Sequence, residues 1–171
     1  MIPPAQNALR VRCDPVLGKI HDRLLTIGGT AVVLGADAPS TVRRLNRDGQ
    51  LFARDGAVII PLDPRASATN VARLCQLSPG GIEAATGYAL DRDGCWRPHT
   101  WGVLDGATVV ETTARRDGYY GYLLSPAEAA RFCWREPAPA VAPPLPASLA
   151  AAAHAGRVRR MLEDEEHFLK K

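Results

Sequence analysis

The segment 82–113 constrains the fold most, because it reads as three successive β-strands. The strand-like pieces cover residues 82–90, 98–104 and 108–113. Asp105-Gly106 joins the second piece to the third, and an Asp-Gly pair between apolar runs is a strong hairpin signal. Strands joined by such short turns run antiparallel. The sequence therefore predicts an antiparallel sheet in the middle of the chain.

Helical patterns flank this predicted sheet. A helix is expected from Pro15 to about Thr26, where apolar residues form one stripe and Gly28-Gly29 ends it. Further helices are expected from Ser40, over 67–77 and over 127–134. Short strands are expected at 30–34, 50–52 and 57–61. Helices packed on an antiparallel sheet make an α+β fold.

The chain of 171 residues divides into one domain and a tail. Residues 1–135 form a single predicted α+β domain, and residues 136–146 form a linker rich in proline and alanine, which favours extended backbone. Residues 147–171 predict a helix with a thin apolar stripe. Because an isolated helix of this kind is marginally stable, it is expected to dock on its own domain or on a second copy, as in a homodimer.

Composition excludes several classes of function. The net charge is +3 and basic residues are scattered among acidic ones, so a nucleic-acid partner is not expected. No apolar run approaches the ~20 residues of a membrane span, and the N-terminus lacks an export signal, which favours the cytoplasm. The four cysteines form no C-x-x-C pair. Most are expected to be buried, reduced thiols, and neither a metal nor a cofactor is predicted.

Three residues suggest chemistry. Ser67 is expected at the start of a helix, His99 near the start of a strand, and Glu111 on the following strand. A nucleophile at a helix N-terminus, a histidine base and a carboxylate that orients the histidine make an acyl-transfer triad. Each residue also has an ordinary structural role open to it, since serine favours helix starts and His99 can simply cap a strand beside Trp101.

The hairpin loop decides whether this triad is feasible. With a two-residue loop, Trp101 faces Val110, and His99 and Glu111 lie on opposite faces of the sheet. With a three-residue loop, Trp101 faces Glu111, and His99 and Glu111 become diagonal neighbours on one face, ~7–8 Å apart at the backbone. The triad hypothesis therefore demands an odd loop, with a bulge at Gly106.

The order of motifs resembles transglutaminase-like and papain-like cysteine enzymes. More narrowly, it resembles a group of small uncharacterised bacterial proteins with a Cys-His-x-Asn helix start, a Gly-Tyr-Ala-Leu strand, a Trp-Arg-x-His-x-Trp strand, a Glu-Thr-Thr strand and a Tyr-x-Gly turn. The corresponding segments here are Asn70, 87–90, 96–101, 111–113 and 119–121. The resemblance implies a nucleophile-bearing helix packed against an antiparallel sheet. It adds Asn70, Trp96, Trp101 and Tyr120 as candidate binding residues.

The chain departs from this pattern at the nucleophile, because Ser67 stands where the resembling proteins have cysteine, and Ala68 stands where they have histidine. Ser67 is a serine version of the nucleophile, a residue of a degenerate site that only binds, or an introduced substitution. Cys75 and Cys95 are alternative nucleophiles, although Cys75 fits core packing better and Cys95 lies in a loop. The expected function is acyl transfer by an amidase, peptidase or transferase on a small molecule or peptide. The alternative is a catalytically degenerate module that binds a peptide or small ligand.

Overall fold

The computed structural model describes residues 13–35 and 38–136, with the single positions 11, 147 and 151. Within these residues, four helices and seven strands form the fold. The helices are α1 (Pro15–Ile27), α2 (Pro39–Asp48), α3 (Ser67–Leu77) and α4 (Pro126–Arg135). The strands are β1 (Ala31–Val32), β2 (Gln50–Phe52), β3 (Val58–Ile59), β4 (Ile82–Leu90), β5 (Cys95–Leu104), β6 (Thr108–Glu111) and β7 (Gly118–Leu123).

One mixed sheet organises the molecule, with strands in the order β2-β7-β4-β5-β6-β3. The central pairs β4–β5, β4–β7 and β5–β6 are antiparallel, as are β2 and β7. The short strands β1 and β3 pair parallel, with β5 and β6 respectively. The expectation of an α+β fold with a mainly antiparallel sheet is therefore confirmed.

The sheet curls strongly around one face. Strands β6 and β7 are three positions apart in the sheet, which is about 14 Å when neighbouring strands lie ~4.8 Å apart on a flat surface. The Tyr119 hydroxyl of β7 nevertheless donates to the Glu111 carboxylate of β6 at 2.9 Å. The curl creates a concave face, which a cluster of strand residues fills: Phe52, Ala85, Ala89, Trp101, Val103, Val109 and Tyr119.

Three helices cover the opposite, convex face. Helices α1 and α2 pack through Leu17, Ile20, Leu24, Val42 and Leu45 onto the strand residues Tyr88, Trp96, Tyr120 and Tyr122. Helix α3 packs through Leu74 onto Ile82, Leu104 and Val110. Because Leu104 and Val110 belong to β5 and β6, α3 lies across the predicted hairpin and brings its N-terminus towards the sheet.

The β5–β6 hairpin has an odd loop. Leu104 pairs with Thr108 and Gly102 pairs with Val110, so Asp105, Gly106 and Ala107 lie between the strands. The turn itself ends where the Ala107 N–H donates to the Leu104 carbonyl at 3.2 Å, and Asp105 and Gly106 both have positive φ, as a primed turn requires. The extra residue is therefore Ala107, rather than the expected Gly106.

Strand β5 begins three residues earlier than expected, and it contains Pro98. Proline has no N–H to donate and is normally excluded from the middle of a sheet. Here Pro98 lies between the stretch of β5 that pairs with β1 (Cys95 and Trp96) and the stretch that pairs with β6 (102–104). Because neither β1 nor β6 pairs with β5 at Pro98, no bond to these two strands needs an N–H there. The strand therefore continues through the proline to His99.

The other boundaries agree closely with expectation for α1, α3, β2 and β4, whereas the strands expected at 30–34, 57–61 and 108–113 are shorter. None of the described helices is both long enough and apolar enough to cross a membrane. The predicted linker at 136–146 and the predicted helix at 147–171, with its expected dimer contact, lie outside the described residues except at Glu136, Ala147 and Ala151.

Candidate active site

A buried histidine–carboxylate pair forms the centre of the candidate site. His99 Nε2 lies 2.9 Å from Glu111 Oε2, and the two side chains are 6% and 0% exposed. The register of the odd hairpin puts both residues on the concave face. His99 and Glu111 thus meet as the triad hypothesis requires, and the pair depends directly on the three-residue loop.

Five hydrogen bonds hold the Glu111 carboxylate. Oε1 accepts from the Thr112 N–H, the Thr113 N–H and the Thr113 hydroxyl, each at 2.8 Å. Oε2 accepts from Tyr119 and pairs with His99. Burial by itself raises the pKa of Glu111, but its hydrogen bond and electrostatic contact with His99, together with the Thr113 donors, hold that pKa below its ordinary value. Glu111 is therefore ionised at neutral pH and accepts hydrogen bonds only.

An ionised Glu111 fixes the tautomer of His99. Because a carboxylate cannot donate, the proton of the neutral imidazole lies on Nε2, facing Glu111. The Nδ1 lone pair is then the basic atom of the ring. Trp101 stacks on the ring at 6.4 Å between centroids and 18° between planes. Its indole further restricts rotation of His99.

Tyr119 is a site residue that the sequence did not reveal. It donates to Glu111 Oε2, and its ring lies 6.5 Å from the His99 ring. Burial, and then the adjacent carboxylate, raise the pKa of Tyr119 far above its ordinary value, so it remains a neutral donor. The motif 119–121 had pointed to Tyr120 instead.

Ser67 is the first residue of α3, and Ala66 occupies the N-cap without a side-chain cap. Ser67 is therefore free of the capping role that serine commonly has at helix starts. The N–H groups of residues 67–69 have no intrahelical acceptor, as in the first turn of any helix. Ser67 and His99 together line two adjoining depressions of about 190 Å³ each. No hydrogen bond joins their side chains within the described part of the chain.

The four predicted binding residues divide between the site and the core. Trp101 lies against His99. Trp96 and Tyr120 belong to the helix-facing cluster, where Trp96 Nε1 donates to the Gly28 carbonyl at 2.8 Å and the Tyr120 hydroxyl accepts from Arg23 at 2.8 Å. Asn70 is buried and donates to the carbonyls of Asp63 at 2.8 Å and Thr112 at 3.5 Å. Its amide thereby ties α3 to the end of β6.

The cysteines are free and do not line the two depressions. Cys95 is buried at the start of β5, Cys75 and Cys133 are half-buried, and Cys13 is exposed. The expectation that most of them are buried is therefore wrong: Cys75 and Cys133 lie on the surface helices α3 and α4, and Cys13 lies before α1. Burial raises the pKa of the Cys75 thiol to about 12, which disfavours the thiolate that a nucleophile needs.

Comparison of the chain with family models, curated proteins and solved structures gives no significant match. Among the described residues, no three His, Cys, Asp or Glu side chains cluster closely enough to hold a metal ion. Within the described residues, the two depressions bring together the oriented imidazole of His99 and Ser67, the first residue of α3.

Proposed function

We propose that the protein is an acyl-transfer enzyme of the amidase, peptidase or transferase type, with Ser67 in the place of a cysteine nucleophile. The observation that carries this proposal is the buried pair of His99 and Glu111 at 2.9 Å, in a cleft that Ser67 also lines. A helix that carries the nucleophile, packed on a sheet that carries the base and the carboxylate that orients it, is the arrangement expected of a transglutaminase-like or papain-like frame.

In the proposed reaction, the Ser67 hydroxyl attacks the acyl carbon while His99 Nδ1 takes its proton. The N–H groups at the start of α3 stabilise the negative charge that develops on the acyl oxygen. The imidazolium then protonates the leaving amine or alcohol, and the acyl group remains on Ser67. A water molecule or a second acceptor, deprotonated by His99, takes the acyl group and restores the hydroxyl. Glu111 stays ionised throughout and orients the ring.

Serine makes general-base help essential. A thiolate is stable beside an imidazolium, whereas a hydroxyl is far less acidic and loses its proton only as it attacks. A base of this kind contributes about 10²–10⁴-fold to the rate. The hydrogen bonds that fix the tautomer and orientation of the His99 ring therefore matter more here than in a cysteine enzyme.

The test is labelling of Ser67. A serine-directed acylating reagent should modify Ser67 alone, as seen by peptide mass spectrometry. Ser67→Ala should abolish labelling, and His99→Ala should slow it at least about 100-fold, in line with the loss of a general base. Ser67→Cys should gain reactivity towards thiol-directed acyl reagents if the frame is intact. Labelling at another residue, or no labelling where a known serine hydrolase reacts, would contradict the proposal.

A second candidate is a binding module with the same cleft and no turnover. It is favoured by one observation, that Ser67 and His99 are not hydrogen-bonded to one another. Catalytic hydrogen bonds commonly shorten only when substrate binds, so the missing bond is also compatible with an enzyme. The two candidates differ in Ser67→Ala, which abolishes the activity of an enzyme but leaves the ligand affinity of a binding module unchanged.

A further inference from the structure

The cleft beside Ser67 is lined on one side by arginines. Arg65, Arg97 and Arg116 lie around the same depression as Ser67 and His99, and no described aspartate or glutamate lines it. The second depression, on the other side of His99, is lined by described residues without an aspartate, glutamate, lysine or arginine: Thr41, Leu45, Ser67, Thr86, Gly87, Tyr88, Pro98, His99, Thr100 and Tyr122. The site is thus asymmetric, cationic on one side of the histidine and neutral on the other.

Two of these arginines are held in place by aspartates of the β4–β5 loop. Arg97 donates to Asp91 at 2.5 Å and to both carboxylate oxygens of Asp93 at 3.0 and 2.8 Å. Arg116 pairs with Asp91 and donates to the Thr113 hydroxyl at 3.1 Å. A guanidinium fixed in this way presents its remaining N–H groups with little further loss of side-chain entropy.

The arginines retain unused capacity to bind an anion. Arg116 Nε is buried and has no acceptor within the described part of the chain, and an unpaired buried donor is costly. Arg65 is exposed, and its guanidinium has neither an ion pair nor a hydrogen bond with the residues that the structure describes. An oxyanion in the cleft would be a natural acceptor for the exposed guanidinium of Arg65, since guanidinium geometry matches carboxylates and phosphates.

The positive charge continues beyond the cleft. Arg116 also lines a neighbouring depression with Arg54, Arg92, Arg115, Asp55 and Asp117. Counting the aspartates that hold Arg97 and Arg116, and the ionised Glu111 that is bonded to His99 and Thr113, six arginines face five carboxylates across the two depressions. An anionic ligand that approaches this side of the molecule therefore meets a net attractive field.

We infer that the substrate carries a small oxyanion, a carboxylate or a phosphate, beside its reacting carbonyl, and that Arg65, Arg97 and Arg116 bind it. The neutral depression takes the part of the substrate on the other side of that carbonyl. The bond that is broken rests on the proposed function, whereas binding of the oxyanion does not. Among the three arginines, Arg65 is expected to contribute most to the affinity for the oxyanion, because its guanidinium forms no ion pair with a described residue.

The kinetic test compares two acyl donors of equal length on the full chain. Mono-p-nitrophenyl glutarate carries a free carboxylate, and p-nitrophenyl valerate does not. We expect the glutarate ester to acylate Ser67 about fivefold faster, which is the upper end of the effect of one exposed ion pair. Arg65→Gln should remove most of that advantage, and so should high salt, which screens exposed charges. Arg92→Gln is the matched control: Arg92 is also exposed, but it lines only the neighbouring depression.

A binding test separates this inference from the proposed function. Succinate and inorganic phosphate are titrated into the Ser67→Ala protein while the His99 ring resonances are followed by NMR. The inference is supported by saturable shifts that are weakened in Arg65→Gln but unchanged in Arg92→Gln, even if neither ester acylates Ser67. The ion that binds more tightly identifies the oxyanion. Equal ester rates together with no saturable shift would overturn it. An equal loss of the glutarate advantage in Arg65→Gln and Arg92→Gln would also overturn it, because it would indicate only a general electrostatic attraction.

Discussion

A single carboxylate, that of Glu111, joins three parts of the fold. It is hydrogen-bonded to His99 on the neighbouring strand, to Thr112 and Thr113 directly after it in the chain, and to Tyr119 across the curled sheet. A buried charge is stable only when its hydrogen-bonding capacity is met. The same contacts therefore stabilise the fold and orient the proposed base.

Tyr119→Phe tests this double role. Because the variant loses one hydrogen bond to a charged group, we expect the free energy of unfolding to fall by roughly 1.5–3 kcal/mol. We also expect slower acylation of Ser67 with little change in KM, since Tyr119 acts through Glu111 and does not line the cleft. The measurements are urea unfolding and the rate of Ser67 labelling.

Tyr120→Phe is the matched control for this experiment. Its hydroxyl is also hydrogen-bonded, to Arg23 and Leu45, but on the helix-covered face. It should lower stability without slowing the labelling. If both variants slow labelling to the same extent, the positioning role of Tyr119 is disproved.

At the scale of elements, the hairpin between β5 and β6 carries the site. Side chains alternate between the two faces of a strand, so a shift of one residue moves every side chain to the other face. Ala107 is the residue that makes the loop odd. The proposed base and the carboxylate that orients it therefore share a face because of one residue that touches neither of them.

Deletion of Ala107 should separate His99 from Glu111. A two-residue loop would place Glu111 on the helix-covered face, where it loses its five hydrogen bonds, or force β6 out of register. We expect a loss of roughly 3–5 kcal/mol in stability, as when a buried ion pair is broken, and loss of Ser67 labelling. Ala107→Ser, which keeps the loop length, should retain both. A deletion variant that is still labelled at the normal rate would rule out the dependence on register.

Several elements of the fold, and part of the site, were predictable from local patterns. Glycine and proline signals gave the bounds of α3 and β4, and the parity of the hairpin gave the condition under which His99 and Glu111 meet. Tyr119 was not predictable in the same way. Tyr119 and Tyr120 are adjacent and face opposite sides of β7, and only the pairing of β7 with β4 decides which of them faces Glu111.

The arginines of the cleft were missed for a similar reason. Arg97 and Arg116 are distant in sequence, and Asp91, which binds both, lies in the turn after β4. Such a cluster cannot be recognised from the spacing of its residues in the sequence, because the curled sheet brings together residues that are distant along the chain. The boundary error at Pro98 likewise came from a tertiary feature, the gap between the neighbours of β5.

For the whole molecule, two carboxylates make stability depend on acid pH. The hydrogen bond from Arg44, followed by that from Ser125, lowers the pKa of Glu128 from 4.5 to about 2, and the pKa of Glu111 is also lowered. A lowered pKa in the folded state stabilises the fold above the ordinary pKa of the unfolded chain. That contribution is lost as the pH falls through the folded value.

We therefore expect the contribution of Glu111 and Glu128 to the urea midpoint to be constant just above pH 4.5. It should fall as the pH approaches 2. Glu128→Gln should lower the stability measured above pH 4.5 and flatten this part of the profile. A profile of the Gln variant as steep as that of the unaltered protein would show that other groups dominate the acid transition.

The stacking of Trp101 on His99 has an optical consequence. A protonated imidazole quenches the emission of an indole stacked on it, so we expect the Trp101 fluorescence to depend on the charge of His99. Trp134 is 88% exposed on α4 and can be replaced by phenylalanine, which leaves only the two buried indoles to emit. The protein therefore carries an intrinsic light signal for the charge state of its own proposed base, readable without any substrate.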